Sequence, residues 1–348
     1  MYDIITIGTA TRDAFIESPS FVLRKERKFS TGQALSMPAG AKIDVSRIIF
    51  TTGGGATNAA VTFARQGLKT ACIAKVGSDV SGEEVRSGLL GEHVDARFLL
   101  KTKKYSTAYS LLLLSGGERT ILVYRGASER LLPEDIAWEE LKTRWFFLFP
   151  GGAFKTCEKA LRYARAHGIR TALNPSLPML KRGAAYFRSM LRQVDVLIMN
   201  REEASMITGI PYRKHEAIFK KIDEWMPCLA VLTDGAHGAM VSDGANLYTA
   251  GVFREKQLVN RTGAGDAFGS GFVAGLIQGT RNKEQGARKK KAAVCDIYPP
   301  DVIKYAMRLG SANATSVVEH FGAKAGILGR REFTSPRWRN FAVSRSRI

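Results

Sequence analysis

The chain has 348 residues, 45% of them hydrophobic and 24% charged, and a formal net charge of +20. That length can bury a substantial core and is within reach of one large α/β unit, and the composition is globular rather than fibrous or disordered. The longest apolar runs, "LLLL" at 111–114 and "WFFLF" at 145–149, are far too short to cross a bilayer, so no membrane partner is expected.

The N-terminal "MYDIITIG" reads as a strand, without the basic n-region and apolar h-region of a secretory signal. Cys72, Cys157, Cys228 and Cys295 are widely spaced and form no C-x-x-C pair, as expected for reduced, mostly buried thiols in a cytoplasm. Short apolar strands are predicted at 4–8, 70–77, 144–150, 170–174, 195–200 and 229–233. Helical patterns lie between them at 57–67, 156–167, 182–193 and 214–226. Continuously apolar strands, each followed by a helix, imply an α/β fold with a mostly parallel sheet covered on both faces. Two regions break the rhythm. Residues 14–51 are polar and irregular, and "STAYSLLLLSGGERTILVY" (106–124) reads as a hairpin turning at Gly116-Gly117. They are expected to form a small β lid, from about 14–51 and 97–125, on a single domain spanning 1–329.

Half of the excess charge lies in two short segments: 281–291, "RNKEQGARKKK", and 330–348, each carrying a net +5. Neither has helical or strand periodicity, and neither interleaves aromatics as a base-stacking surface would. A solvated basic insert and a disordered basic tail, dispensable for catalysis, are expected, with nucleic acid not the main ligand.

"NRTGAGDAFGSGF" (260–272) gathers four glycines around one acid, Asp266, and runs into apolar residues at helical spacing. The spacing is not the dinucleotide fingerprint, and no Walker lysine follows. Such a loop can be only a helix start. It can also turn the backbone N–H groups of Gly263, Ala264 and Gly265 toward one point at a helix N-terminus, making an anion hole. Asp266 beside that hole could take a proton from a hydroxyl attacking a phosphoryl group.

"TGAGDAF" resembles the C-terminal signature of the ribokinase-like (PfkB) carbohydrate and nucleoside kinases. "GGGATNAAVTFARQGLKTACIAKVGSDVSGEEV" (53–85) resembles the family's N-terminal signature, "NREE" (200–203) its N-x-x-E motif and "TDGAHG" (233–238) its nucleotide loop. The resemblance implies a three-layer α/β/α sandwich with a β lid, using ATP and Mg²⁺. It makes Asp266 the general base, with Gly263, Ala264 and Gly265 stabilising the transferred phosphoryl group. Asn200 and Glu203 fall on the Mg²⁺–phosphate side, although a helix cap is their plain local reading. Thr233, Gly235 and Gly238 belong to the nucleotide loop, and Gly322-Ala323 to the adenine-side wall, with Ser311 or Asn313 as the polar contact. Gly53, Gly54, Asn58 and Asp13 correspond to the sugar site.

Asn260 and Arg261 stand where the family usually has an Asp and a small residue. A monovalent cation near this loop is therefore expected to matter little. The predicted activity is phosphoryl transfer from ATP to a hydroxymethyl group of a small sugar or a nucleoside. An acidic sugar is the alternative, with Arg119 and Arg125 as candidate carboxylate partners. A homodimer through the lid is common in the family. A non-catalytic nucleic-acid-binding or regulatory protein is the reading from another class.

Overall fold

The computed structural model describes residues 1–29, 32–116, 118–226, 228–284 and 298–348. The chain runs through β1 (Ile4–Gly8), β2 (Thr11–Glu17), β3 (Val22–Lys25), β4 (Gln33–Ser36) and β5 (Arg47–Gly53). There follow α1 (Gly55–Arg65), β6 (Thr70–Gly77), α2 (Val80–Gly91), β7 (Leu99–Thr102), β8 (Ala108–Ser115) and β9 (Glu118–Tyr124). The middle of the chain holds β10 (Trp145–Phe149), α3 (Phe154–His167), β11 (Arg170–Leu173), α4 (Leu177–Leu180), α5 (Ala184–Leu191), β12 (Val196–Asn200), α6 (Arg201–Thr208) and α7 (His215–Asp223). The last part comprises β13 (Leu229–Thr233), β14 (Ala239–Ser242), β15 (Asn246–Ala250), α8 (Ala264–Glu284), α9 (Pro300–Val318), α10 (Arg330–Phe333) and β16 (Ser344–Arg347).

Ten strands form the central sheet in the order β16-β15-β14-β13-β12-β11-β10-β1-β6-β7. Pairing is parallel from β13 to β7 and antiparallel from β13 to β16. Because side chains alternate across a strand, each central strand feeds two cores. Phe146 and Leu148 of β10 pack with Ala160, Phe187, Ile207 and Phe219 from α3, α5, α6 and α7. Trp145 and Phe147, one residue out of phase, pack with Phe63, Phe272 and Met307 from α1, α8 and α9 on the opposite face. The predicted α/β/α layering is therefore present, with strands apolar throughout because both faces are covered.

The lid differs in detail from its predicted bounds. Its sheet has the order β5-β2-β8-β9, and β3 and β4 form a separate two-stranded hairpin. β7, expected in the lid, instead pairs with β6 as the parallel edge of the central sheet. Its pattern, Leu99-Leu100-Lys101-Thr102, is too short to tell the two sheets apart. β8 and β9 form the expected hairpin, with Ser115 opposite Glu118; Gly117 lies outside the described residues, as do Cys295 and residues 285–291 of the basic insert.

The expected disordered tail is wrong. β16 adds to the sheet beside β15, pairing Tyr248 with Arg345 and Leu247 with Ser346. Ahead of it, Phe333 and Trp338 are buried in the α8–α9 core. Sequence patterning missed the strand because "SRSR" offers no apolar face, and charged residues are how an edge strand is kept from pairing with other chains.

The glycines after Asp266 serve packing rather than backbone freedom. Gly271, Gly275 and Gly279 recur every four residues on α8 and meet α9 at Gly310, Ala306 and Val302. A Cβ at Gly275 would come within 2.6 Å of the Ala306 Cα. Gly275→Leu is expected to lower stability by about 1–3 kcal/mol through overpacking. Urea denaturation reads this, and an unchanged midpoint would mean the two helices are free to move apart.

Candidate active site

Three segments far apart in sequence converge at the carboxyl ends of β1 and β10–β13, where open α/β sheets bind ligands. Asp13 on β2 is buried and accepts a 2.9 Å hydrogen bond from the Thr11 hydroxyl. Asn58, in the first turns of α1, donates from Nδ2 to Asp266 Oδ2 at 2.8 Å across 208 residues of sequence. Its other side-chain atom, Oδ1, is buried with no protein partner. An orphaned buried acceptor is costly unless a ligand hydroxyl completes it. Burial pushes the Asp266 carboxyl up to about 6, and the negative Asp13 adds to this, against the Asn58 hydrogen bond and the positive Lys324. Asp13 is likewise raised by burial, opposed by the Thr11 and Ser110 hydroxyls and by Lys324.

The glycines at the start of α1 are also required by the protein's own packing. At Gly53 a Cβ would collide with the Asp13 carboxylate itself, so the missing side chain admits an acid of the protein. Gly54, at φ 96°, starts α1 in a conformation that L side chains rarely adopt, against the Thr9 and Ala10 backbone.

Around Asp266, α8 begins at Ala264 after Gly263, whose φ of 83° and close approach to Ala323 both require glycine. The Ala264 N–H turns back to the Arg261 carbonyl at 3.4 Å. Among the described residues the N–H groups of Gly265 and Asp266 have no such partner, as expected in a first helical turn. The Gly263 N–H has no such partner either, so of the three expected donors only Ala264 is tied back into the turn. Asn260 is buried, and its Oδ1 accepts the Thr262 N–H at 2.6 Å, so it serves the turn itself.

A cavity of about 200 Å³ opens beside this turn, lined by Thr233, Gly235 and Gly238, by Phe253 and Leu258, and by Ser311 and Thr315 of α9. Ser311 is the residue on the cavity. Asn313 is fully buried instead, bonding the Ala267 and Thr62 oxygens and the Leu328 N–H. Gly322 and Ala323 do not form the wall of this cavity; they are wedged between Thr51 of the lid and Gly263. Asp234 fixes the 233–238 turn, accepting from Arg201 Nη1 at 2.6 Å and from the Tyr212 hydroxyl.

A second cavity, of about 340 Å³, joins Thr233, Gly265 and Asp266 to Asn174, Asn200, Glu203 and Arg125. Asn200 and Glu203 form a reciprocal capping box on α6, with bonds of 2.8 and 3.0 Å. The plain reading of this pair as a helix cap holds, and the cap leaves both residues on the cavity lining. Burial holds the Glu203 carboxyl above the usual range. Arg125 is on this cavity, tied to Glu129 at 3.2 Å. Arg119 is not; it lines a separate space of about 720 Å³ between the lid and Arg261. Burial, and then the like charge of Arg261, hold its guanidinium below the ordinary range.

Residues 24–327 match the model of the pfkB family carbohydrate kinases. The chain belongs to the pfkB family. A ribokinase of Staphylococcus aureus is 24% identical over 282 residues, covering 79% of this chain and 84% of the relative. A cytidine kinase of Thermococcus kodakarensis is 26% identical, covering 80% and 90%. The solved ribokinase of Giardia lamblia superimposes with a TM-score of 0.76 at 20% identity, over 95% of this chain and 98% of that one. As a pfkB carbohydrate kinase, the protein is a phosphotransferase with a hydroxyl acceptor.

Within this pfkB site sits one residue that sequence patterning did not single out. Lys324 follows the Gly322-Ala323 wedge and donates from Nζ to Thr52 Oγ1 at 2.9 Å. Burial pushes its ammonium down to about 8, although Asp13, Cys72, Glu92 and Asp266 all favour the charge. One lysine thus acts electrostatically on both acids of the site. "GAKAG" carries no local signature; only the tertiary placement reveals it. Removing the positive charge in Lys324→Met is expected to raise the Asp266 titration midpoint above about 6. Carboxyl ¹³C shifts followed against pH read it directly, and an unchanged midpoint would mean that solvent screens the pair.

Proposed function

We propose that the protein transfers the terminal phosphoryl group of ATP to a hydroxymethyl group of a small sugar or nucleoside. The observation that carries this is the Asp266 carboxylate at the first turn of α8, beside free N–H groups and within reach of Asn58. Asn58 and Asp13 hold acceptor hydroxyls, the one through its unpartnered Oδ1 and the other through its carboxylate. Asp266 accepts the proton of the attacking hydroxyl. The Gly265 and Asp266 N–H groups stabilise charge on the phosphoryl oxygens where solvent is excluded. The 200 Å³ cavity, largely apolar and bordered by the 233–238 turn, takes the base and ribose of the donor.

Among the described residues no three His, Cys, Asp or Glu side chains gather as a metal cage. That suits Mg²⁺, which is commonly held by substrate phosphates and water with one or two carboxylates. Glu203 and Asn200 would order that water. When bound, the ion offsets the charge of the donor phosphates. An acceptor bearing an anionic group is a second reading, favoured by Arg125 on the cavity that contains Asp266.

With burial pushing the Asp266 carboxyl up to about 6, its ionised fraction grows as pH rises through that value, so turnover is expected to rise there and then level. Asp266→Asn should keep nucleotide binding and lose about 10²–10⁴-fold in kcat. A near wild-type kcat on the best acceptor would remove Asp266 from the mechanism. That acceptor comes from ranking kcat/KM across pentoses, hexoses, sugar acids and nucleosides; no turnover on any of them would refute the reading itself.

The same reading includes a homodimer through the lid. β9 is an edge strand of the lid sheet, and its Leu122, Val123 and Tyr124 are about half exposed, as are Ile48 and Phe50 on β5. Apolar patches of this kind on a sheet edge favour association with a second copy. Val123→Glu combined with Leu122→Glu is expected to give monomers in sedimentation equilibrium. A wild-type chain that is itself monomeric at micromolar concentration would end the proposal.

A further inference from the structure

The C-terminal segment lies beyond the family match, which ends at residue 327, yet it reaches the wall of the nucleotide cavity. Residues 251–258 contribute Val252, Phe253, Glu255 and Leu258 to that wall, and no helix or strand spans them. A loop without a ladder needs other partners for its backbone and side chains. The tail supplies several of them. Phe253 packs edge-on against Trp338 at 5.0 Å and stacks on Phe341 at 4.7 Å. Arg337 donates to the Arg254 carbonyl at 3.2 Å. It also forms a two-pronged pair with Glu319, at the end of α9. Glu319 in turn accepts the Lys256 N–H at 2.6 Å, so the ion pair and the loop share one carboxylate.

The electrostatics agree with this geometry. Glu319 is only 7% exposed. Burial disfavours its charge, yet the Arg337 and Lys256 hydrogen bonds hold its carboxyl below the ordinary range. A buried carboxylate kept ionised in this way is rigid, because losing either partner strands a charge. Arg337 also lies 4.1 Å over the Trp338 ring, joining the ion pair to the aromatic stack. β16 then fastens the segment to the sheet beside β15, the strand from which the 251–258 loop departs.

We propose that residues 334–348 act as a clasp that holds the 251–258 loop in its nucleotide-accepting shape, so that the tail sets donor affinity. Arg337 is the positioning residue at its centre. The inference rests on the reading that this cavity takes the donor. It accounts for an Arg-rich segment, beyond the family match, being folded rather than left solvated. It also implies an asymmetry: the clasp touches the donor wall and none of Asp13, Asn58 or Asp266.

The test uses the full-length enzyme with separate KM measurements for ATP and for the best acceptor, plus calorimetric titration with ADP. Arg337→Met is expected to raise the KM for ATP and the Kd for ADP about tenfold or more, the loss typical of stranding a buried charge. Acceptor KM at saturating ATP and kcat should stay within about twofold. Arg337→Lys should recover part of the loss. Glu319→Gln combined with Arg337→Met should cost no more than either change alone, because the two act as one unit. Phe341→Ala, which leaves the ion pair intact, should weaken ADP binding in the same direction. Unchanged ADP affinity in folded Arg337→Met and Phe341→Ala proteins would overturn the proposal, as would an equal rise in both KM values. Ala314→Trp, which fills the cavity, separates the two readings. If it leaves ADP binding intact, the cavity is not the donor site; if it abolishes binding while the tail variants do not, only the clasp fails.

Discussion

The Asp266 carboxyl is held partly out of water, and how readily it ionises depends on the groups packed around it. Desolvation opposes the charge, and the nearby Asp13 opposes it further. The surrounding structure answers with one hydrogen bond from Asn58, the partly buried ammonium of Lys324 and a helix start. Each answer comes from a different part of the chain: α1, the loop after α9, and α8. The site therefore exists only when the layer of α1, α8 and α9 is fully assembled on the sheet.

That assembly depends on how closely α8 and α9 approach. Glycines at four-residue spacing let the two backbones come together, and they fix the height of the α8 N-terminus over the sheet. Gly269 sits against Ile198 of β12, so the same helix is also seated on the strand that ends at Asn200. One run of small residues thus links the turn before α8, the capping box of α6 and the partner helix. Gly263, by contrast, is there for its positive φ and for the contact with Ala323. The sequence "GAGDAFGSG" mixes a backbone requirement with a packing requirement, and only the packed structure separates them.

This explains what could be read in advance. The parallel strands were legible because burial on both faces makes them continuously apolar, and the catalytic segments because their spacing resembles a known family. Asn200 and Glu203 were legible as a cap, and the same geometry leaves both on a cavity lining. What escaped prediction depends on residues whose meaning is set by a distant partner. Lys324 has no pattern around it, and the space a Gly53 side chain would need is held by Asp13. β7 and β16 are edge strands, where one row of hydrogen bonds and half the packing are missing, so their sequences are under weaker apolar constraint.

The charge balance shows the same limit from the other side. A net +20 invites a polyanion partner, yet Arg337 of the tail is tied into the fold, while Arg330, Arg331, Arg339, Arg345 and Arg347 stay exposed. Arg337 neutralises a buried glutamate, and Arg345 lies 5.8 Å over the Tyr248 ring. Arg308, on α9, lies over the Phe333 ring and donates to the Arg339 carbonyl. Guanidinium groups suit this use because they stay charged, stack on aromatic faces and offer several donors in fixed directions. Summed charge counts all of them as solvent-facing. The tertiary structure shows that part of the basic excess belongs to packing, which leaves less of it for recognition than the composition suggests.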